Sequence, residues 1–224
     1  SENNDQIDIQ AAYLISYFPH YYQLIYKILL EKYPSIFNNL TSLNLVFFGG
    51  GPGPEIYGVL KFISNNNFTI KDIDITILDI NAKQWEYSHN ILKKHIIPSL
   101  GLDKIELKIN SRFFDLAKPI DLNQFAGLFN ACNLLVFQNC LNEIPVAELS
   151  QLKINVQLII KQLPLNGSVI INDLTGGYAA VQSLIQSIEK ESKANIGVSI
   201  LHTSLITDSF QNLTSIHARP SYLV

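Results

Sequence analysis

The sequence predicts an α/β protein with a doubly wound, mostly parallel sheet, and three observations carry that prediction. Short apolar runs recur along the chain, each followed by a polar or glycine-rich turn and then by helical spacing. The run Leu43 to Phe48 enters a glycine cluster, Gly49, Gly50, Gly51 and Gly53, with Pro54 where a first helical position belongs. The run Ile73 to Leu78 ends at Asp79, which parallel strands would place beside that cluster.

Length and composition agree with such a fold. The 224 residues are 47% hydrophobic and 16% charged, enough for a full core and unlike a disordered chain. A net charge of −3 argues against a broad electrostatic grip on nucleic acid. No apolar run approaches the length of a membrane span, and the first ten residues, SENNDQIDIQ, lack the basic and apolar regions of a signal peptide. Cys132 and Cys140 are the only cysteines, with no second pair or neighbouring histidine to make a zinc pattern. We expect both to be buried and reduced, in a cytoplasmic protein without disulfides or a metal site.

Taken in order, residues 9 to 33 are expected to form two helices divided at Pro19. Tyr22, Ile25, Tyr26, Leu29, Leu30 and Tyr33 share one stripe of the second. Tyr13, Tyr17, Phe18, His20, Tyr21 and Tyr22 crowd around the proline. Two accounts fit them: a cover packed on the sheet, or a lid whose aromatics and His20 line a substrate pocket. Residues 1–40 are therefore a helical cover or lid, and residues 41–224 a binding domain that forms one compact unit with it.

The glycine turn lets the chain reverse sharply and a ligand approach without meeting a Cβ. An ordinary strand-to-helix turn needs one or two glycines, so this cluster points to a ligand. Ile56, Val59, Leu60 and Ile63 then mark a helix. Asp79 is either a ribose-binding acid or a helix cap shared with Asn81; its place beside the loop favours the ribose. A helix is expected from Ala82 to about Leu100, with His89 and His95 as surface or partly buried residues without a ligand role. Lys104 to Asn110 alternates as a third strand, followed by a loop carrying Phe113, Phe114 and Asp115 and a short helix over 121 to 130.

Leu134 to Phe137, fully apolar, is a central fourth strand that opens onto Gln138, Asn139, Cys140, Leu141, Asn142 and Glu143, facing the same crevice as the glycines. Residues 146 to 163 make a helix, and Ser168 to Asn172 a fifth strand ending at Asp173. Gly176-Gly177, a helix from Tyr178 to about Ser192, a strand from Ile196 to Leu201 and an extended stretch from Leu213 complete the chain. His202 and His217 are expected to be packing residues on the closing strands.

This arrangement resembles a class I S-adenosylmethionine-dependent methyltransferase over roughly residues 43 to 205. The resemblance implies a Rossmann-like sheet of about seven strands with an antiparallel C-terminal edge, and S-adenosyl-L-methionine as cofactor. It implies that Phe48, Gly49, Gly50, Gly51 and Gly53 lie along the amino-acid part of the cofactor. Asp79 would take the ribose hydroxyls and Ile80 flank the adenine, with Phe114 and Asp115 at the adenine amino group. Gln138 and Asn139 would stand beside the methionine moiety. Where the family places an acid two residues before the first loop glycine, this chain has Phe47, which either weakens the contact with the cofactor's amino group or passes it to another residue such as Glu55. A fainter similarity, in YFPHYYQLIYKILL, GGGPGPE and LNEIP, is to predicted ribosomal-RNA methyltransferases, and the acidic balance does not support an RNA partner.

A nicotinamide- or flavin-dependent oxidoreductase is the competing class. Its fingerprint needs a third glycine where this chain has Pro54 or Ile56, and Pro52 and Pro54 remove backbone donors that a pyrophosphate would use. A non-catalytic binding protein of the same fold is the third alternative, supported by Phe47. For methyl transfer to an oxygen or nitrogen of a small molecule or peptide, the candidates for general base or acceptor alignment are Asn139, Asn142, Glu143 and Asp173. Tyr17 and His20 join them if the N-terminal helices form a lid. Glu143 is equally a helix-start acid, and Asp173 a turn residue.

Overall fold

The computed structural model describes residues 2–173, 181 and 184–186. Within them five strands form one parallel sheet of order β3-β2-β1-β4-β5. They are β1 (Ser42–Phe48), β2 (Asp72–Asp79), β3 (Glu106–Phe113), β4 (Leu134–Gln138) and β5 (Ser168–Asn172). The order reverses between β1 and β4, so a crevice opens there at the carboxyl ends of the strands.

Alternation along β1 explains the layers. Leu43, Leu45 and Phe47 face one core with α2 (Phe18–Lys32) and α3 (Pro54–Ser64); Val46 and Phe48 face the other with α5 (Ala126–Asn130) and α6 (Leu149–Gln162). Helices on both faces bury the sheet, which is why β4 is buried throughout and apolar up to its last residue, Gln138. Phe47 is 0% exposed within the first core.

The N-terminal pair differs from expectation at its break. Helix α1 (Glu2–Ser16) ends before Tyr17, and Pro19 belongs to the first turn of α2, where its missing N–H costs no helical bond. Helix α2 lies directly on α3 because Gly58 has no side chain. A Cβ there would come within 2.4 Å of the Tyr22 carbonyl oxygen and 2.3 Å of Ile25 Cγ2. Helix α1 is pinned elsewhere: Gln10 Nε2 donates to Gln84 O (2.5 Å), and Gln10 Oε1 accepts from the backbone N–H and hydroxyl of Ser88 (3.0 and 2.7 Å).

The single helix expected over 82 to 100 is instead a series of turns. Helix α4 (Glu86–Ile91) widens into a π-helical turn, Leu92–Ile96, and tightens into a 3₁₀ turn, Ile97–Leu100, with Pro98 in its first turn. Strand β3 runs on through Ser111, Arg112 and Phe113, taking residues expected in a loop, because they continue the ladder with Ile77, Leu78 and Asp79. Residues 122–125 form a 3₁₀ turn before α5, and residues 146–148 another before α6. Val181 and Leu184 pack on the second core and residues 184–186 are helical. Gly176-Gly177, the rest of the helix expected to Ser192, the Ile196 to Leu201 strand, the antiparallel edge, His202 and His217 lie outside the described residues. No helix among the described residues is long and apolar enough to cross a membrane.

Candidate active site

The crevice between β1 and β4 is a cleft of about 480 Å³, a size suited to a cofactor-sized ligand. Its floor begins with the glycine turn. Gly49 has φ of +59°, and a Cβ there would lie 2.4 Å from Cys140 Cβ, so any side chain would collide with the loop after β4. Phe48, Gly49, Gly50 and Gly51 line the cleft. Gly53 does not; in left-handed conformation it precedes α3 and sits against Leu92 and Ile56, so it shapes the turn rather than the wall.

Asp79 is 5% exposed at the end of β2. Its Oδ2 accepts from the Gly51 N–H (3.0 Å) and its Oδ1 from the Asn81 N–H (2.6 Å). The acid therefore braces the glycine loop and caps the following turn while lining the cleft. Gly51 is held from its other side too, since its carbonyl oxygen lies 2.7 Å from His89 Nε2. His89 was expected as a surface or partly buried residue without a ligand role; it is buried, and burial lowers its pKa. Neutral His89 must then carry its proton on Nε2 to donate to that carbonyl. A lone histidine in a helical pattern gives no sign of such a partner.

Glu55 is the most confined acid of the cleft. It is 4% exposed in the first turn of α3, and its Oε1 accepts from Gln138 Nε2 at 3.2 Å. Its Oε2 is buried without a hydrogen-bond partner. Burial raises the carboxyl to about 8, the bond from Gln138 opposing the shift. Gln138 also lines the cleft, yet its polar atoms are engaged inward: Nε2 donates to Tyr21 O (2.9 Å) and Oε1 accepts from Asn172 Nδ2 (3.4 Å). It thus ties α2, α3, β4 and β5 around Glu55.

After β4, Asn139 adopts a left-handed backbone (φ +53°), with its Nδ2 buried and unpartnered at the cleft. Asp173, expected among the bases, instead accepts from the N–H groups of Leu141 and Asn142 (2.8 and 3.3 Å) and so fixes this loop. Asn142 is not among the lining residues. Glu143 is, on the exposed rim; desolvation first, then Asp173 and Asp79, raise its carboxyl. Cys132 is buried as expected, but half-buried Cys140 forms cleft wall, its thiol held well above the usual range by burial and four nearby acids.

At the far end stand Ile80, Phe114 and Asp115. The Asp115 Oδ1 accepts from Ala117 N–H (2.9 Å), and buried Asn155 of α6 holds this loop by donating to the carbonyls of Leu116 and Lys118. The N-terminal helices do reach the site, through two of the aromatics around the proline but not through the catalytic candidates Tyr17 and His20. Tyr13 and Tyr21 line the cleft; Tyr17 stacks on Tyr13 behind them (4.6 Å), and buried His20 is not on the lining. Trp85, missed in the sequence, lies edge-on to Tyr13 (5.5 Å) and against Gly51. Its place one helical turn before His89 was the available signal.

Five lining residues are acids (Glu55, Asp79, Asp115, Glu143 and Glu148), while Lys118 is the basic one among the described residues and pairs with Glu148. Among the described residues no group of three or more His, Cys, Asp or Glu is placed to hold a metal ion.

Fold and cleft define a Rossmann-like α/β protein with an acidic crevice at its strand-order switch. No protein-family model and no curated protein matches the chain. Among solved structures it is similar to the trans-methyltransferase CalH in complex with SAH, with a TM-score of 0.42 and 14% identity over 73% of this chain and 47% of that one. It is also similar to human N-acetylserotonin methyltransferase in complex with SAM, with a TM-score of 0.39 and 15% identity over 75% of this chain and 38% of that one. The chain thus spans less than half the length of either neighbour. At that level of likeness, function has to be read from this chain's own residues.

Proposed function

We propose that this chain is an S-adenosylmethionine-dependent methyltransferase acting on a nucleophilic oxygen or nitrogen of a small-molecule or peptide acceptor. The observation that carries this reading is the buried Glu55 carboxyl, aimed into a glycine-floored acidic cleft with one oxygen unpartnered. An unpaired buried carboxyl oxygen calls for a donor, and a cationic donor best of all. The cofactor offers an ammonium and a sulfonium and no phosphate, so it suits this electrostatic setting. A dinucleotide would bring two phosphate charges among five acids, to a loop in which Pro52 and Pro54 offer no N–H. The same acids weigh against an RNA acceptor.

Glu55 and Asn139 would hold the amino-acid end, with Gly49 to Gly51 beneath it. Asp79 keeps lone pairs for the ribose hydroxyls beyond those its backbone partners use, while Ile80, Phe114 and Asp115 would enclose the base. The cofactor supplies a methyl group on a sulfonium, a good leaving group. The protein's part is then to align the acceptor, exclude water and, where the acceptor bears a proton, remove it. Glu143 on the rim has the raised carboxyl for that last task. Tyr17 supports the Tyr13 ring from behind, and His20 packs within α2.

Calorimetric titration with S-adenosylhomocysteine and, separately, NADH tests the reading. We expect micromolar binding of the first and none of the second; NADH alone binding would make the protein an oxidoreductase. Asp79→Ala should weaken S-adenosylhomocysteine by roughly tenfold or more, since it removes a ligand group and the brace on Gly51 together. Equal affinity in that variant would remove Asp79 from the site.

A further inference from the structure

Three aromatic side chains from two separated segments meet on the open side of the cleft. Tyr13 is edge-on to Trp85 at 5.5 Å and to Tyr21 at 6.3 Å, and all three line the cavity. Their placement is built rather than incidental. Gln10, one turn before Tyr13, is bonded through both ends of its amide to the segment that carries Trp85, through Gln84 and Ser88. Gln138 holds the Tyr21 carbonyl. A packing cluster would turn its rings into the core; here Tyr13 and Trp85 stay half-buried with the cavity in front of them.

Acids accompany the rings. Glu55 lies at the floor and Glu143 on the rim; burial first, then Tyr21 and these two acids, push the Tyr13 phenol up. The basic lining residue, Lys118, is engaged with Glu148 beside Asp115, at the far end. Aromatic rings and carboxyl groups, with no competing base among the described residues, make a box for an organic cation.

We propose that this box is the acceptor subsite and that the acceptor is an amine: Tyr13, Tyr21 and Trp85 hold its cationic form, and Glu143 takes its proton. The cofactor's own ammonium is assigned to Glu55, which leaves the rim acid for the second ligand. In the transfer step the Glu143 carboxylate accepts a proton from the ammonium. The freed nitrogen lone pair forms the new N–C bond as the methyl–sulfur bond breaks, and that bond's electron pair stays on a now neutral sulfur. The product leaves as an N-methylammonium, and Glu143 returns its proton to water. This step rests on the methyltransferase reading; the cation preference of the box does not.

Trp85 is the only tryptophan in the chain, so intrinsic fluorescence reports on the box directly. The full chain is titrated with 2-phenylethylamine and its neutral counterpart 2-phenylethanol, with and without saturating S-adenosylhomocysteine, and calorimetry checks the affinities. The amine should bind about tenfold or more tightly than the alcohol. Glu143→Gln, on the exposed rim, should lower that ratio severalfold, the rings keeping a residual preference for the cation. Tyr13→Leu should weaken the amine about fivefold. Equal affinity for amine and alcohol, no saturable response to either, or an unchanged ratio in Glu143→Gln would overturn the proposal. Failure of S-adenosylhomocysteine to bind while the amine preference persists would instead sink the methyltransferase reading and leave the box standing.

Discussion

Without a cation beside it, Glu55 holds a proton at pH 7, because burial has raised its carboxyl from 4.5 to about 8. The unfolded carboxyl ionises near 4.5 and the folded one only near 8, so this group's contribution is fully present below 4.5 and is lost as pH rises to about 8. Glu55→Gln keeps the shape and the acceptor for Gln138 but cannot ionise. Urea unfolding at pH 5 and pH 8 should therefore show the variant gaining on the parent chain by on the order of 3 kcal/mol over that interval. The same variant should lose about tenfold or more in S-adenosylhomocysteine affinity. A variant that is no more stable at pH 8, or that binds as well as its parent, would mean Glu55 is not the confined acid described here. Phe47 fits this picture. It belongs to the core between β1 and α3, so under the proposed reading the charge for the cofactor's amino group would come from the first helical turn instead of the strand.

Among the elements, the contact between α2 and α3 depends on one missing side chain. At Gly58 a Cβ would press on the Tyr22 carbonyl, a backbone atom that cannot swing away. Gly58→Ala should cost about 1–3 kcal/mol despite the better helix propensity of alanine. Gly127 in α5 is the control, since a Cβ there meets nothing within 4 Å. Gly127→Ala should be neutral or stabilise by about 0.5–1 kcal/mol. Thermal and urea unfolding of the two variants side by side decides it, and equal effects would refute the close packing. Displacing α2 also disturbs the Tyr21 carbonyl that Gln138 grips, so Gly58→Ala should weaken ligand binding at a distance from the cleft.

For the molecule as a whole, stability is expected to be graded outward from the centre of the sheet. Strands β1 and β4 are buried on both faces and flanked by paired strands, whereas β3 is an edge and α1 is held largely by the Gln10 bonds. Amide exchange should be slowest in β1 and β4 and faster in α1 and β3. Gln10→Ala removes a buried group that satisfies Ser88, and should speed exchange across α1 by about tenfold while leaving β1 unchanged. Acceleration that is uniform across the chain would show α1 to be part of the global unit rather than a separately opening cover.

Local order along the chain could be read from the residues. The strand–glycine–helix opening, the five parallel strands near their observed positions, and Asp79, Phe114, Asp115, Asn139 and Glu143 beside one crevice were legible. Hydrophobic spacing and turn chemistry act within a few residues, and strand order then brings the carboxyl ends together. Which groups are partners was set by the packing of distant segments. Gln138 reaches the Tyr21 carbonyl across 117 positions, Gln10 reaches Ser88 across 78, and His89 reaches Gly51 across 38. Tyr13 rather than Tyr17 faces the cleft because α1 ends before the proline and its bonds to the Trp85 segment set its rotation. Burial and pairing of polar groups depend on how distant segments meet, and no periodicity within one segment records that.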